Sequence, residues 1–291
     1  MVKITEKIGV TQSGSGTSAV QTADPLDELM KVRDSKDTLL ERFRLTLVGP
    51  PKEGKTHCAL TASEFFPEES AFPLTEMVDL QDMFWCLLDN GGFDGLAERR
   101  LSVPHIDLSN VPPELIIVAI RKFTDTARER ILAGVTKTVV YDSLTALDKL
   151  LLTRLMKDYE KWGLYNALLA EHLKIFTAAK SLACNVILIC HGKYVTPAED
   201  AAGQGRQMAA GVTPGTIEMN LSGQIADFYR QSMSLIMPVS DKGRGADRSF
   251  WIHPHGAKGF AGYTRFAGLE KEEPAHLGKL FAKIRGNQPA K

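Results

Sequence analysis

The sequence predicts an α/β fold: a mainly parallel central sheet flanked by helices, with antiparallel strands near the C-terminus. Three observations carry that expectation. Short β-rich runs alternate with long helical patterns from residue 43 to residue 190. The run NVILIC (185–190) is continuously apolar, as a strand buried on both faces of a parallel sheet requires. FRLTLV (43–48) leads through GPPKEGKT into a helical pattern, the strand–turn–helix junction of a βαβ unit.

Taken in order, residues 1–25 are polar and rich in Ser, Thr and Gly, and read as a flexible arm ahead of a single domain spanning 26–291. DPLDELMKVRDSKDTLLERF is helical in composition and opens on an Asp-Pro start signal. FRLTLV is a strand stopped by Gly49 and two prolines, and apolar residues resume at helical spacing after Lys55. MFWCLLD (83–89) is strand-like and ends in the turn NGG. PELIIVAIRKFTDTARERILAG (113–134) reads as a helix closed by Gly134. KTVVYD (137–142) is a strand, followed by the amphipathic helices LTALDKLLLTRLMKDYEKW and GLYNALLAEHLKIFTAAKSLA. Residues 192–218 are rich in Gly, Ala and Pro and read as a long mobile loop. A helical LSGQIADFYRQ follows. Then come the short strands MSLIMPV, RSFWIHP and GYTRF, divided by glycine turns and expected to extend the sheet antiparallel, and a closing helix at 275–285.

Composition bounds the function. The chain has 291 residues, 44 % hydrophobic and 24 % charged, enough apolar material for a sizeable core. Formal net charge is zero, so global charge argues for neither nucleic acid nor membrane. Cys58, Cys86, Cys184 and Cys190 show no metal-ligand spacing and read as reduced core thiols. No apolar run has the length of a membrane span and no signal-peptide pattern opens the chain, so a cytoplasmic protein without membrane contact is expected.

The chemistry concentrates at the phosphate-loop pattern G-x-x-x-x-G-K-[ST], met by Gly49, Gly54, Lys55 and Thr56. The nucleotide-binding set is the whole turn: Gly49, Pro50, Pro51, Lys52, Glu53, Gly54, Lys55, Thr56 and His57. Glycines let backbone approach an anion, convergent N–H groups and a helix N-terminus attract it, Lys55 reaches the outer phosphates, and the Thr56 hydroxyl ligates Mg²⁺. An acidic residue at the end of a neighbouring strand completes such a site, and Asp142 in KTVVYDS is that candidate. The expected cofactors are therefore ATP and Mg²⁺. His191, after NVILIC, stands where a side chain senses the γ-phosphate or bonds to backbone as an ordinary strand-end histidine. Hydrolysis also needs a group to orient water, and both Asp89 and Asp94 in CLLDNGGFDGL are candidates, or turn residues.

The order of motifs, from the phosphate loop through VVYDSLTAL, the W-G-x-Y-N helix, VILICHGK and LSGQIADFYR, resembles the RecA-like P-loop ATPases encoded by bacteriophages. Specifically it is similar to the Sak-type single-strand annealing proteins and their AAA-labelled relatives, over roughly residues 40 to 270. The resemblance implies a RecA-like core, ATP at a subunit boundary, assembly into homo-oligomeric rings or filaments, and a role in phage DNA recombination in the host cytoplasm. It also implies that Lys55, Thr56 and Asp142 serve phosphate and metal, and that residues 193–216 contact single-stranded DNA. By the same resemblance, Lys258 and Arg265 reach a neighbour's nucleotide. One departure stands out: such ATPases commonly carry a glutamate two residues after the strand-end aspartate, and Gly91 is there instead. Unless Asp89 or Asp94 substitutes, hydrolysis is expected to be slow.

Cations for DNA form a modest set: Lys193 and Arg206 in the loop, Lys242, Arg244 and Arg248 in KGRGADR, and Arg265, Lys279, Lys283 and Arg285 further on, with Tyr194 the one aromatic of the loop. KGRG reads equally as a solvated turn. The second function class is therefore a P-loop ATPase switch that assembles or loads a recombination or replication partner protein without touching DNA. A small-molecule kinase is disfavoured, because the loop holds only one arginine to act as a lid.

Overall fold

The computed structural model describes residues 42–68, 74–89, 93, 96–194, 217–222, 224–243, 249–257 and 262–286. The N-terminal arm, nearly all of the helix expected after it, Gly91, Asp94, Arg206, Arg244, Arg248 and Lys258 lie outside these residues.

The strands are β1 (Arg44–Gly49), β2 (Val78–Asp79), β3 (Met83–Leu87), β4 (Leu101–Ser102), β5 (His105–Asp107), β6 (Thr138–Asp142), β7 (Asn185–Tyr194), β8 (Ile217–Met219), β9 (Leu235–Lys242), β10 (Ser249–Ile252), β11 (Tyr263–Thr264) and β12 (Glu273–Pro274). The helices are α1 (Lys55–Leu60), α2 (Ile116–Leu132), α3 (Leu144–Leu155), α4 (Lys161–Lys180), α5 (Ile225–Ser232) and α6 (Leu277–Gly286). Among the described residues ten strands form one sheet in the order β12-β10-β9-β1-β7-β6-β3-β5, with β8 on β7 and β11 on β9; β2 and β4 pair separately. The stretch from β9 to β5 is parallel throughout.

Alternation along each central strand feeds two cores. On β1 and β7, Leu45, Leu47, Ile187 and Ile189 face one side, where they meet Cys58 and Leu60 of α1 and Leu280 and Phe281 of α6. Val48, Leu188 and Cys190 face the other, against Phe123 of α2, Leu147 and Leu151 of α3, Phe176 of α4 and Tyr229 of α5. Burial on both faces is why these strands read as unbroken apolar runs.

Local signals place several ends. Ser143, the N-cap of α3, accepts a hydrogen bond from the Ala146 N–H. Gly134, just past α2, has φ +73°, a left-handed turn that favours glycine. The C-terminal end of α4 is closed from a distance: the buried Arg44 guanidinium donates to the carbonyls of Lys180 (3.0 Å), Leu182 (2.7 Å) and Cys184.

Two expectations need correction. β9 runs parallel to β1, so the antiparallel extension begins only at β10. β7 does not stop at Cys190 but continues to Tyr194, because β8 pairs with Gly192–Tyr194. The expected loop 192–218 therefore opens and closes on a β-ribbon, and only 195–216 lies outside the described residues. α1 ends at Leu60, where the Thr61 hydroxyl donates back to the Cys58 carbonyl at 2.6 Å and accepts the Leu277 N–H at 2.7 Å, tying α1 to the start of α6.

Candidate nucleotide site

A cavity of about 470 Å³ opens at the C-terminal edge of the parallel strands, the edge where open α/β sheets bind ligands. Its lining includes Lys55, Thr56, Asp89, Asp142 and His191, drawn from four segments of the chain. Sheet register explains the convergence. Gly49 at the end of β1 pairs with His191 of β7, and Asp142 at the end of β6 pairs with Ile189 of β7 and Leu87 of β3. Gly49 and Asp142 end their strands, while His191 lies within β7 two residues beyond the register of Asp142; the loop, the acid and the histidine thus gather at one edge of the sheet.

Both glycines of the loop are there by necessity. A Cβ on Gly49 would stand 2.8 Å from the Val239 carbonyl oxygen. Gly54 has φ +81°, and a Cβ there would fall 2.3 Å from the Phe250 ring. Lys55 is buried, with Nζ donating to the Pro50 carbonyl at 2.6 Å. Desolvation lowers its pKa, and the carboxylates of Asp142 and Glu53 oppose that shift. The Thr56 hydroxyl donates to Asp142 Oδ2 at 3.2 Å. Burial pushes the Asp142 carboxyl up to about 6; Thr56 and Lys55 hold it back, and Asp89 adds to the rise. His191 Nε2 lies 3.6 Å from Asp89 Oδ2. Burial and then Lys55 lower the His191 pKa, against the pull of Asp89.

The donor chemistry fits a hard cation. A hydroxyl and a carboxylate oxygen side by side suit Mg²⁺, which retains water and takes phosphate oxygens for its remaining positions. Among the described residues no three His, Cys, Asp or Glu side chains cluster as a self-sufficient metal centre. A cation here would therefore depend on its phosphate partner.

Two residues of the cavity had no clear signal in the sequence. Arg99 Nη1 donates to His57 Nδ1 at 2.6 Å, 42 residues away in the chain. His57 is pushed down to about 4, first by burial, then by Arg99 and His276, so its ring is neutral and its Nδ1 accepts. Phe250, from β10, covers Gly54 and stands 5.4 Å from the His57 ring, centroid to centroid. Glu-Arg-Arg after a turn and an aromatic in a strand are ordinary patterns; only packing turns them toward the loop.

The remaining candidates lie elsewhere. Lys193 is exposed on β7, two residues past His191. Lys242 donates to Glu272 and lies 4.5 Å from the Trp251 ring centroid. Arg265 donates to the Tyr263 hydroxyl (3.1 Å) and the Gln231 carbonyl (3.3 Å). It follows β11, which pairs with the start of β9, so it sits at the opposite end of the sheet from the cavity. Among the described residues no helix is long and apolar enough to cross a membrane. No protein-family model matches the chain, and a comparison with curated proteins finds no match.

Proposed function

We propose that the chain is a Mg²⁺-ATP-binding, RecA-like P-loop ATPase that acts on single-stranded DNA in phage recombination or annealing. The observation that carries the nucleotide part is the meeting of Lys55, Thr56 and Asp142 in one cavity at the sheet edge. In this reading the loop amides and Lys55 hold the phosphates, Lys55 exchanging the Pro50 carbonyl for phosphate oxygens. Thr56 and Asp142 hold the metal, which when bound draws charge from the β- and γ-phosphates. Asp89, on the same cavity, orients the attacking water; Asp94 lies outside the described residues. Water adds to the γ-phosphorus as the bond to the bridging oxygen breaks, releasing ADP and phosphate. His191 reads the γ-phosphate end. The DNA and assembly parts rest on the resemblance of the motif series.

A second reading, an ATPase that assembles or loads a protein partner, is favoured by the zero net charge and by the engagement of Lys242 and Arg265 with their own chain. Mg²⁺-ATP hydrolysis with and without single-stranded DNA separates the two. DNA-stimulated hydrolysis that is lost in Lys55→Ala is the expected result. Lys55-dependent hydrolysis indifferent to DNA favours partner loading. Unchanged ATP affinity in Lys55→Ala removes the phosphate-loop reading.

A further inference from the structure

Next to the phosphate cavity lies a closed ring of hydrogen bonds that the reaction as described does not use. β6 ends at Asp142, opposite Ile189, so Cys190 and His191 of β7 run past the last β6 partner. On that side a side chain replaces the missing strand. The Thr145 hydroxyl, buried on the first turn of α3, accepts the His191 N–H at 3.0 Å and contacts Cys190 Sγ at 3.6 Å. The His191 carbonyl in turn accepts the Asn220 N–H at 2.8 Å. Two residues on, the Ser222 N–H (2.9 Å) and hydroxyl (2.6 Å) both donate to Asp148 Oδ2. Asp148 is three residues from Thr145 on α3, so both side chains share one helix face. Behind it, His172 Nε2 is hydrogen-bonded to Asp148 Oδ1 at 3.0 Å, and His172 Nδ1 to the Tyr229 hydroxyl at 3.0 Å. Thr145, Asp148, His172 and Tyr229 are buried, Ser222 is half-buried, and the polar side-chain atoms of the relay are bonded, a condition in which such a network holds one geometry.

We infer that Thr145 and Asp148 are positioning residues that fix His191 relative to Asp142, through the helix that Asp142 itself leads into. Thr145 holds the His191 amide directly. Asp148 holds the chain whose Asn220 grips the His191 carbonyl. This rests on the nucleotide reading of the cavity, and its consequence is specific. Loosening the ring displaces a group at the γ-phosphate end without touching the loop that binds the phosphates, so turnover falls and affinity does not.

Thr145→Val keeps the shape and removes the acceptor. Expected are a kcat lower by about tenfold or more, since small misplacements near reacting atoms are costly, and an ATP Kd within about threefold of wild type. Thr145→Ser should restore most of kcat, and Ser222→Ala, which removes one of the two Ser222 donors to Asp148 and so loosens that arm, should lower kcat in the same direction by a smaller factor. Amide hydrogen exchange at His191, measured without nucleotide, should be at least about tenfold faster in Thr145→Val. An unchanged kcat, or kcat and affinity falling together with no rescue by serine, overturns the inference. If wild-type protein fails to bind Mg²⁺-ATP, the nucleotide reading is what has failed. The exchange arm then decides the ring alone, and unchanged exchange at His191 overturns it.

Discussion

Asp142 should cost the protein stability in the state without nucleotide, and removing its charge should show it. The carboxyl is buried and its pKa is pushed up from 3.8 to about 6, so the folded state binds its proton more tightly than the unfolded chain does. Between those two values the folded state carries more bound proton. Stability therefore falls as pH rises through that window, and the full penalty applies above about 6. A tenfold change in proton affinity is worth about 1.4 kcal/mol, which makes the penalty about 3 kcal/mol at neutral pH. Asp142→Asn imitates the protonated form and keeps an acceptor for the Thr56 hydroxyl. Urea denaturation at pH 8 should find the variant more stable than wild type by about 1–3 kcal/mol, and at pH 4 the gain should nearly vanish. Adding Mg²⁺-ATP should raise the midpoint of wild type more than that of the variant, which keeps the phosphate loop but lacks the Asp142 carboxylate for the metal, through mass-action stabilisation by the bound ligand. A variant less stable than wild type at pH 8, or a gain that does not depend on pH, would refute the reasoning.

Two further substitutions test the frame around the site. Gly54→Ala should lose about 1–2 kcal/mol to its left-handed φ and about 1–3 kcal/mol more to overlap with Phe250. In a Phe250→Ala background only the first part should remain, and a denaturation double-mutant cycle with no coupling would contradict the contact. Arg44→Met leaves several carbonyls at the C-terminal end of α4 without their donor, and should cost about 2–4 kcal/mol in urea. Arg44→Lys should recover only part of that loss, because one ammonium cannot span the fork; a Met variant within about 0.5 kcal/mol of wild type would show the closure to be idle.

The sequence by itself determined what local spacing can encode. Strand, loop and helix around Gly49, Gly54 and Lys55 are contiguous, so their pattern is visible in a few residues, although the contacts with Val239 and Phe250 that exclude a side chain at the two glycines are tertiary. The apolar runs of β1, β6 and β7 announced buried parallel strands, and the break after KTVVYD announced an acid at a strand end. Pairing partners were not legible, because the period of a strand says which residues share a face and nothing about which strand lies beside it. Hence the parallel course of β9, the continuation of β7 through His191 to Tyr194, and the edge strand β5 emerged only in three dimensions. The same holds within the site. Thr56 and Asp142, 86 residues apart, were each visible as types, but their 3.2 Å contact is a product of sheet register. Arg99 on His57, Phe250 on Gly54 and Thr145 under His191 carry no signature in the chain at all. Each is an ordinary residue whose role comes from what the fold lays against it.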